Sequence, residues 1–145
     1  MKNILTSYLV TAAILLFSTA ISAQEITISK QELPAEINSF VATHFSGIAI
    51  NSVTKETKKR KVEYELVLNN GTKLEFDATK IKEIEGREKL PDALIPKNIL
   101  SYVQKNYPQN YITEWKRDAK KQQIELDSKV EIDFSLDGQF LKIDD

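Results

Sequence analysis

His44 is the single histidine of this chain and cysteine is absent, so most catalytic chemistry has no side chain to run on. A Ser-His-Asp relay or a histidine metal cluster would have to be built around that one imidazole, and a thiolate nucleophile or thiolate metal site has no sulfur. His44 falls in register with Ile37, Phe40, Val41 and Phe45 at helical spacing, with no nucleophile motif beside it. It therefore reads as a semi-buried packing residue. No catalytic residue and no cofactor is expected, and the chain reads as a non-enzyme.

Oxygen-bearing side chains offer more. Asp133, Ser135, Asp137 and Asp144, with Gly138, follow the spacing of an EF-hand calcium loop, in which oxygens recur at alternate positions and a glycine permits the tight turn. The twelfth position carries Asp rather than Glu, apolar strand patterns flank the segment, and Asp-Gly equally makes a hairpin turn. A weak calcium site and a plain turn both stand. Glu63, Glu65, Glu75, Asp77, Glu125, Glu131 and Asp133 share the parity opposite to the apolar positions of their strands, which puts them on one sheet face. There they keep the sheet soluble or form a surface for a basic or polar ligand.

Tyr111 and Trp115 share strand parity. Ile112 has a core-like counterpart in Ile50, so Trp115, three residues on, points to the open face unless a bulge intervenes. A buried tryptophan and an exposed binding anchor are both compatible with that spacing. The partner-binding candidates are Trp115 and Tyr111 as anchors, surrounded by Glu63, Glu65, Glu125 and Glu131. Lys58-Lys59-Arg60-Lys61 is a basic run without interleaved aromatics, a solvated loop tip or a docking point for an acidic partner, and too narrow for nucleic acid.

These side chains must be positioned by a chain of 145 residues, 41% hydrophobic and 28% charged, with a formal net charge of −1. That balance gives no global field for nucleic acid or an anionic membrane. Lys2 precedes an uncharged stretch from Ile4 to Ile21 that closes in small residues, Ser18-Thr19-Ala20 and Ile21-Ser22-Ala23. This is the pattern of a secretory signal peptide over residues 1–23, cleaved after Ala23 or alternatively after Ala20. The location expected is periplasmic or extracellular, with no membrane contact after cleavage.

Beyond it the sequence repeats. Leu33-Pro34, Phe40, Phe45, Ile50 and Val53 recur as Ile95-Pro96, Tyr102, Tyr107, Ile112 and Trp115 at an offset of 62; Leu66, Leu68, Leu74 and Phe76 recur as Ile124, Leu126, Ile132 and Phe134 at 58. The drop of four places a longer loop around Lys55 to Lys61 in the first copy. Each copy begins with helical spacing after its proline, ended by Gly47 or Pro108. Period-two alternation follows, as in Val62, Tyr64, Leu66, Leu68, with turns at Asn69-Asn70-Gly71, Asp127-Ser128-Lys129 and Asp137-Gly138. One copy alone buries little. The expected fold is α+β: residues 24–32 as an N-terminal segment, and repeats 33–85 and 86–145 sharing one antiparallel sheet of about eight strands with both helices on one face.

The proline-led helix starts, the helix ends His44-Phe45-Ser46-Gly47 and Asn106-Tyr107-Pro108, the run from Tyr64 to Asp77 and the ending from Phe134 to Asp144 resemble the PepSY-like family. That family is described as similar to the beta-lactamase inhibitor protein and occurs as secreted proteins of Bacteroidetes-type bacteria. The resemblance spans residues 33 to 144 and implies a tandem helix-plus-sheet fold with an inhibitory or protein-binding role; it supplies no catalytic residues. The first copy departs from it at Asp77-Ala78-Thr79-Lys80, where an Asp-Gly turn is expected. The leading expectation is a secreted binding module that engages a protein or peptide through the open face. The alternative is an envelope domain that senses a small molecule or calcium. Oligomeric state is not fixed by the sequence. Mass spectrometry of secreted material should find a chain beginning at Gln24 or nearby, and intact Met1 to Ala23 would contradict the leader.

Overall fold

The computed structural model describes residues 23–144, and the expected leader, residues 1–23, therefore lies outside the described residues except for Ala23. Alternation of apolar and charged residues generates β1 (Gln24–Thr27), β2 (Ile50–Lys58), β3 (Lys61–Leu68), β4 (Lys73–Asp77), β5 (Lys80–Glu85), β6 (Ile112–Arg117), β7 (Lys121–Leu126), β8 (Glu131–Ser135) and β9 (Phe140–Asp144). Among the described residues two α-helices interrupt the series, α1 (Ala35–His44) and α2 (Lys97–Asn106), each preceded by a single 3-10 turn. All strands form one sheet in sequential order, each neighbour antiparallel. The α+β repeat is thus as expected, except that the sheet has nine strands among the described residues. The additional one is β1, in the segment expected to precede the first repeat. It stands to α1 and β2 as β5 stands to α2 and β6.

Pro34 and Pro96 sit immediately before the helices, where a fixed φ is pre-organised and the missing N–H is one the helix could not use. Ile37 and Val41 of α1 and Ile99 and Val103 of α2 are buried against Leu66, Leu74, Ile84, Ile124 and Ile132 of the sheet. The repeat is visible in ring contacts. Phe40 meets Phe76 edge-on at 5.3 Å, and Tyr102 meets Phe134 in the same way at 5.3 Å.

The two halves also share their irregularities. The register shifts between Ile50 and Ser52 in β2 and between Ile112 and Glu114 in β6. It shifts again opposite Lys82 in β5 and opposite Leu141 in β9. A bulge adds one residue and resets which side chains face inward. Ile112 and Trp115 are three apart yet both buried, at 3% and 6% exposure. The docking expectation for Trp115 is corrected accordingly: it belongs to the core. Its Nε1–H donates to Gln122 Oε1 at 3.0 Å, and the Gln122 Nε2 group donates to the carbonyls of Ser135 and Leu136 at 3.2 and 3.1 Å.

The four-residue length difference is carried mainly by strands rather than by a loop, since β2 and β3 run further out than β6 and β7 before turning at Lys59 (φ 52°). The basic run occupies this exposed tip. The departure at Asp77-Ala78-Thr79-Lys80 still turns, with Ala78 itself at φ 54°, a left-handed conformation costing an L-residue roughly 1–2 kcal/mol.

Trp115→Ala should lower unfolding stability by about 3–5 kcal/mol, as for other buried aromatics. Trp115→Phe should cost about 1–3 kcal/mol by orphaning Gln122 Oε1. Denaturant titration followed by circular dichroism checks both, and an unchanged midpoint would place the ring outside the core.

Candidate functional site

With both helices on one side, the other side of the sheet carries no element of the described residues, and its strands line up three cross-strand rows of polar residues. One row runs Thr54, Glu65, Glu75, Glu83, Lys116, Gln123, Asp133, Lys142. A second runs Glu25, Glu56, Glu63, Asp77, Lys80. The third carries Glu85, Glu114, Glu125 and Glu131 side by side. Like charges directly opposite one another destabilise a sheet, so each run needs cations from elsewhere.

Part of that need is met. Lys82 Nζ, set on the β5 bulge, reaches Glu75 at 3.1 Å and Glu63 at 3.5 Å. Burial of its ammonium works against the charge, but the hydrogen bond to Glu75 and the fields of Glu75 and Glu63 outweigh it and hold the lysine above its ordinary pKa. Lys58 pairs with Glu56 at 2.7 Å, Lys116 with Glu114 at 3.3 Å, and Lys129 with Glu125 at 2.6 Å. Among the described residues Glu65 and Glu83 have no ion-pair partner. Burial raises the pKa of Glu83, and the neighbouring Glu75 and Glu114 carboxylates raise it further. Over the first repeat the face sinks into a hollow of about 120 Å³ walled by Glu25, Glu56, Glu63, Glu65 and Glu75 with Thr54 and Tyr64.

The glutamates expected on this face are there, in two groups. Glu63 and Glu65 wall the hollow, while Glu125 and Glu131 are paired neighbours on β7 and β8. Neither aromatic candidate joins them. Trp115 is in the core, and Tyr111 is exposed beside a separate groove with Leu100, Tyr107 and Pro108 at the end of α2. Its backbone N–H donates to Asp127 Oδ1 at 3.1 Å. Glu83, Glu85, Glu114 and Lys82 were missed in the sequence, although Glu83 and Glu85 flank the buried Ile84 and so carry the same alternation signal. His44 is half-buried, its ring 4.8 Å from that of Phe40.

The calcium-loop expectation is corrected. Asp133, Ser135, Asp137 and Asp144 fall on a hairpin, not around a common centre. The Asp133 carboxylate, 2% exposed, accepts from Lys121 Nζ at 2.6 Å and Gln123 Nε2 at 2.8 Å. Ser135 Oγ accepts the Gln139 N–H, the Asp137 carbonyl accepts from Asn98 Nδ2 at 3.1 Å, and Asp144 pairs with Lys142. Gly138, at φ 79°, serves the turn, and a Cβ there would fall 3.1 Å from Asn98 Cβ. Among the described residues no group of three or more acidic or histidine side chains is arranged to hold a metal ion.

The fold is thus a repeated helix-plus-meander with one helix-covered and one charged face. The sequence matches the family described as "Putative beta-lactamase-inhibitor-like, PepSY-like" over residues 19–78 and 62–142, and the chain belongs to it. Solved structures agree. A "putative calcium-regulated periplasmic protein" of Bacteroides thetaiotaomicron superimposes with a TM-score of 0.79 at 28% identity, covering 83% of this chain and 97% of that one. A "putative periplasmic protein" of Bacteroides vulgatus ATCC 8482 gives the same figures. Another from that organism, "of unknown function", gives 0.79 at 25% identity over 84% of this chain and 100% of that one. No curated protein matches the sequence. The periplasmic or secreted location agrees with all three neighbours, and among the described residues no helix is long and apolar enough to cross a membrane.

The folded chain binds the Glu83 proton more tightly than the unfolded chain does. Stability from this group is therefore fully present below the unfolded carboxylate pKa, about 4.3, and is lost as pH rises through the raised folded value. Glu83→Gln should flatten that decline and melt higher than the unaltered protein near neutral pH. Melting curves between about pH 4 and 7.5 check it; parallel profiles would contradict it.

Proposed function

We propose that the chain is a non-enzymatic binding module of the cell envelope that engages a cationic segment of a protein or peptide with its open sheet face, in the manner of an inhibitor-like protein. The observation that carries this reading is the run Glu65, Glu75, Glu83, three carboxylates directly opposite one another on adjacent strands, with two of the three unpaired within the chain. Such a run costs stability when the face is bare. A lysine- or arginine-bearing partner removes that cost on binding, so the same residues that weaken the free protein strengthen the complex. The hollow beside them gives an extended segment a place to sit.

A second reading is favoured by one structural neighbour, whose description is calcium-regulated: the open-face carboxylates draw together around calcium as it binds, since no preformed group of three stands ready among the described residues. The two readings separate experimentally. Immobilised protein exposed to envelope extract should retain a partner that elutes with salt, because the screening length shrinks from about 10 Å at 0.1 M to about 3 Å at 1 M. Glu65→Gln with Glu75→Gln should reduce retention roughly tenfold without loss of fold. Retention indifferent to both salt and substitution refutes the docking reading. Calorimetric heats on calcium addition that vanish in the same variant support the second.

A further inference from the structure

Among the described residues the sheet ends at β9, which pairs there only with β8, so one row of its backbone N–H and C=O groups faces outward. Four of the six large apolar side chains that stand exposed among the described residues cluster here: Leu136, Phe140, Leu141 and Ile143, between 37% and 52% accessible. Edge strands are ordinarily blunted against pairing. On β9 the charged residues are Lys142 and Asp144, one on each side of Ile143, and they bind each other at 2.8 Å. Phe140 is already fixed, its ring stacked on that of Tyr102 at 5.0 Å with 7° between planes, so little freedom is lost by covering it.

We infer that β9 is a pairing edge for a second copy of this chain, joined antiparallel about a two-fold axis perpendicular to the sheet and passing by Ile143. The charge pattern selects that register. With Ile143 opposite the partner's Ile143, Lys142 faces the partner's Asp144, and the reciprocal pair forms by symmetry. Moving the axis by one residue in either direction, a register shift of two, sets Lys142 against the partner's Lys142 or Asp144 against the partner's Asp144, and like charges directly opposite are unfavourable; a shift of one would oppose side chains from opposite faces. The bulge at Leu141 limits the paired run to the end of the strand, and Ile143 and Phe140 add apolar burial on the helix side. The axis leaves both open faces pointing the same way, on one continuous sheet. The inference is independent of what that face binds.

Sedimentation of the secreted protein should show a reversible monomer–dimer equilibrium at chain concentrations on the order of 10⁻⁴ M, fitting an interface below the ~1,200 Å² of ordinary stable ones. K142E alone and D144K alone should each weaken association roughly tenfold or more. An equimolar mixture of those two variants should dimerise again, because each then offers the charges the other lacks, and the double variant K142E/D144K should dimerise by itself. Restoration in the mixture cannot come from misfolded chains. A wild type that stays monomeric up to ~1 mM, well into the range of weak association, overturns the inference. So does a dimer indifferent to the single substitutions, or growth beyond the dimer, which would signal head-to-tail pairing of β9 with β1.

Discussion

One extra residue in the first full strand of each repeat decides which side chains build the core. Without the bulges at Asn51 and Thr113, period-two geometry would send Ile50 and Val53, and likewise Ile112 and Trp115, to opposite faces. With them, all four turn toward the helices. Register in a sheet with one buried face is all or nothing, since a slip of one residue exchanges core for solvent along the whole strand. The charged rows on the open face exist because the bulges settle that choice at the start of each meander. Thr113 stays buried within its bulge, and its hydroxyl is satisfied by the Glu125 carbonyl at 3.3 Å.

The repeats solve the same packing problem with different side chains. Val53 and Tyr64 in the first half occupy the places of Trp115 and Gln122 in the second. The large ring moves from the second strand of the hairpin to the first, and a small or flexible residue takes the vacated place, which a core tolerates when volume is roughly kept. The exchange has a polar consequence. A buried indole needs an acceptor, Gln122 supplies it, and the amide then needs acceptors of its own, which the β8–β9 turn provides. The second repeat is thereby cross-linked from β6 to its last hairpin through one buried chain of hydrogen bonds.

Much of this was legible in the residues, and the misses have physical causes. Proline-led helices and alternating strands announced themselves because each has a single buried face, and the offsets of 62 and 58 matched the halves before any element was placed. The bulges left only an odd spacing, three between Ile112 and Trp115, which fits a bulged strand and an exposed ring equally well. β1 was missed because four residues exposed on every side carry no burial pattern of their own; it exists through pairing with the long β2. The 133 to 144 spacing misled because alternate oxygens are what a strand's polar face and a calcium loop have in common. Only the neighbours tell them apart, and Lys121, Gln123 and Lys142 converge on Asp133.

The division between faces explains how a small protein tolerates an open side so poorly balanced in charge. Its core is one cluster on the helix side, drawn from both helices and from strands β2 to β8, and apolar burial of that kind supplies most of a domain's stability. Side chains on the other face contribute through exposed pairs worth little each, so acidic residues can accumulate there while the fold loses only a small fraction of its margin. The exception is Asp133, the one buried carboxylate on that face among the described residues, and it is the one enclosed by two lysines and an amide. The fully buried carboxylate is compensated from three sides, while the more open ones make do with single exposed lysines or, like Glu65 and Glu83, with no ion pair among the described residues. That is the distribution expected if desolvation, rather than net charge, sets which carboxylates the fold must compensate.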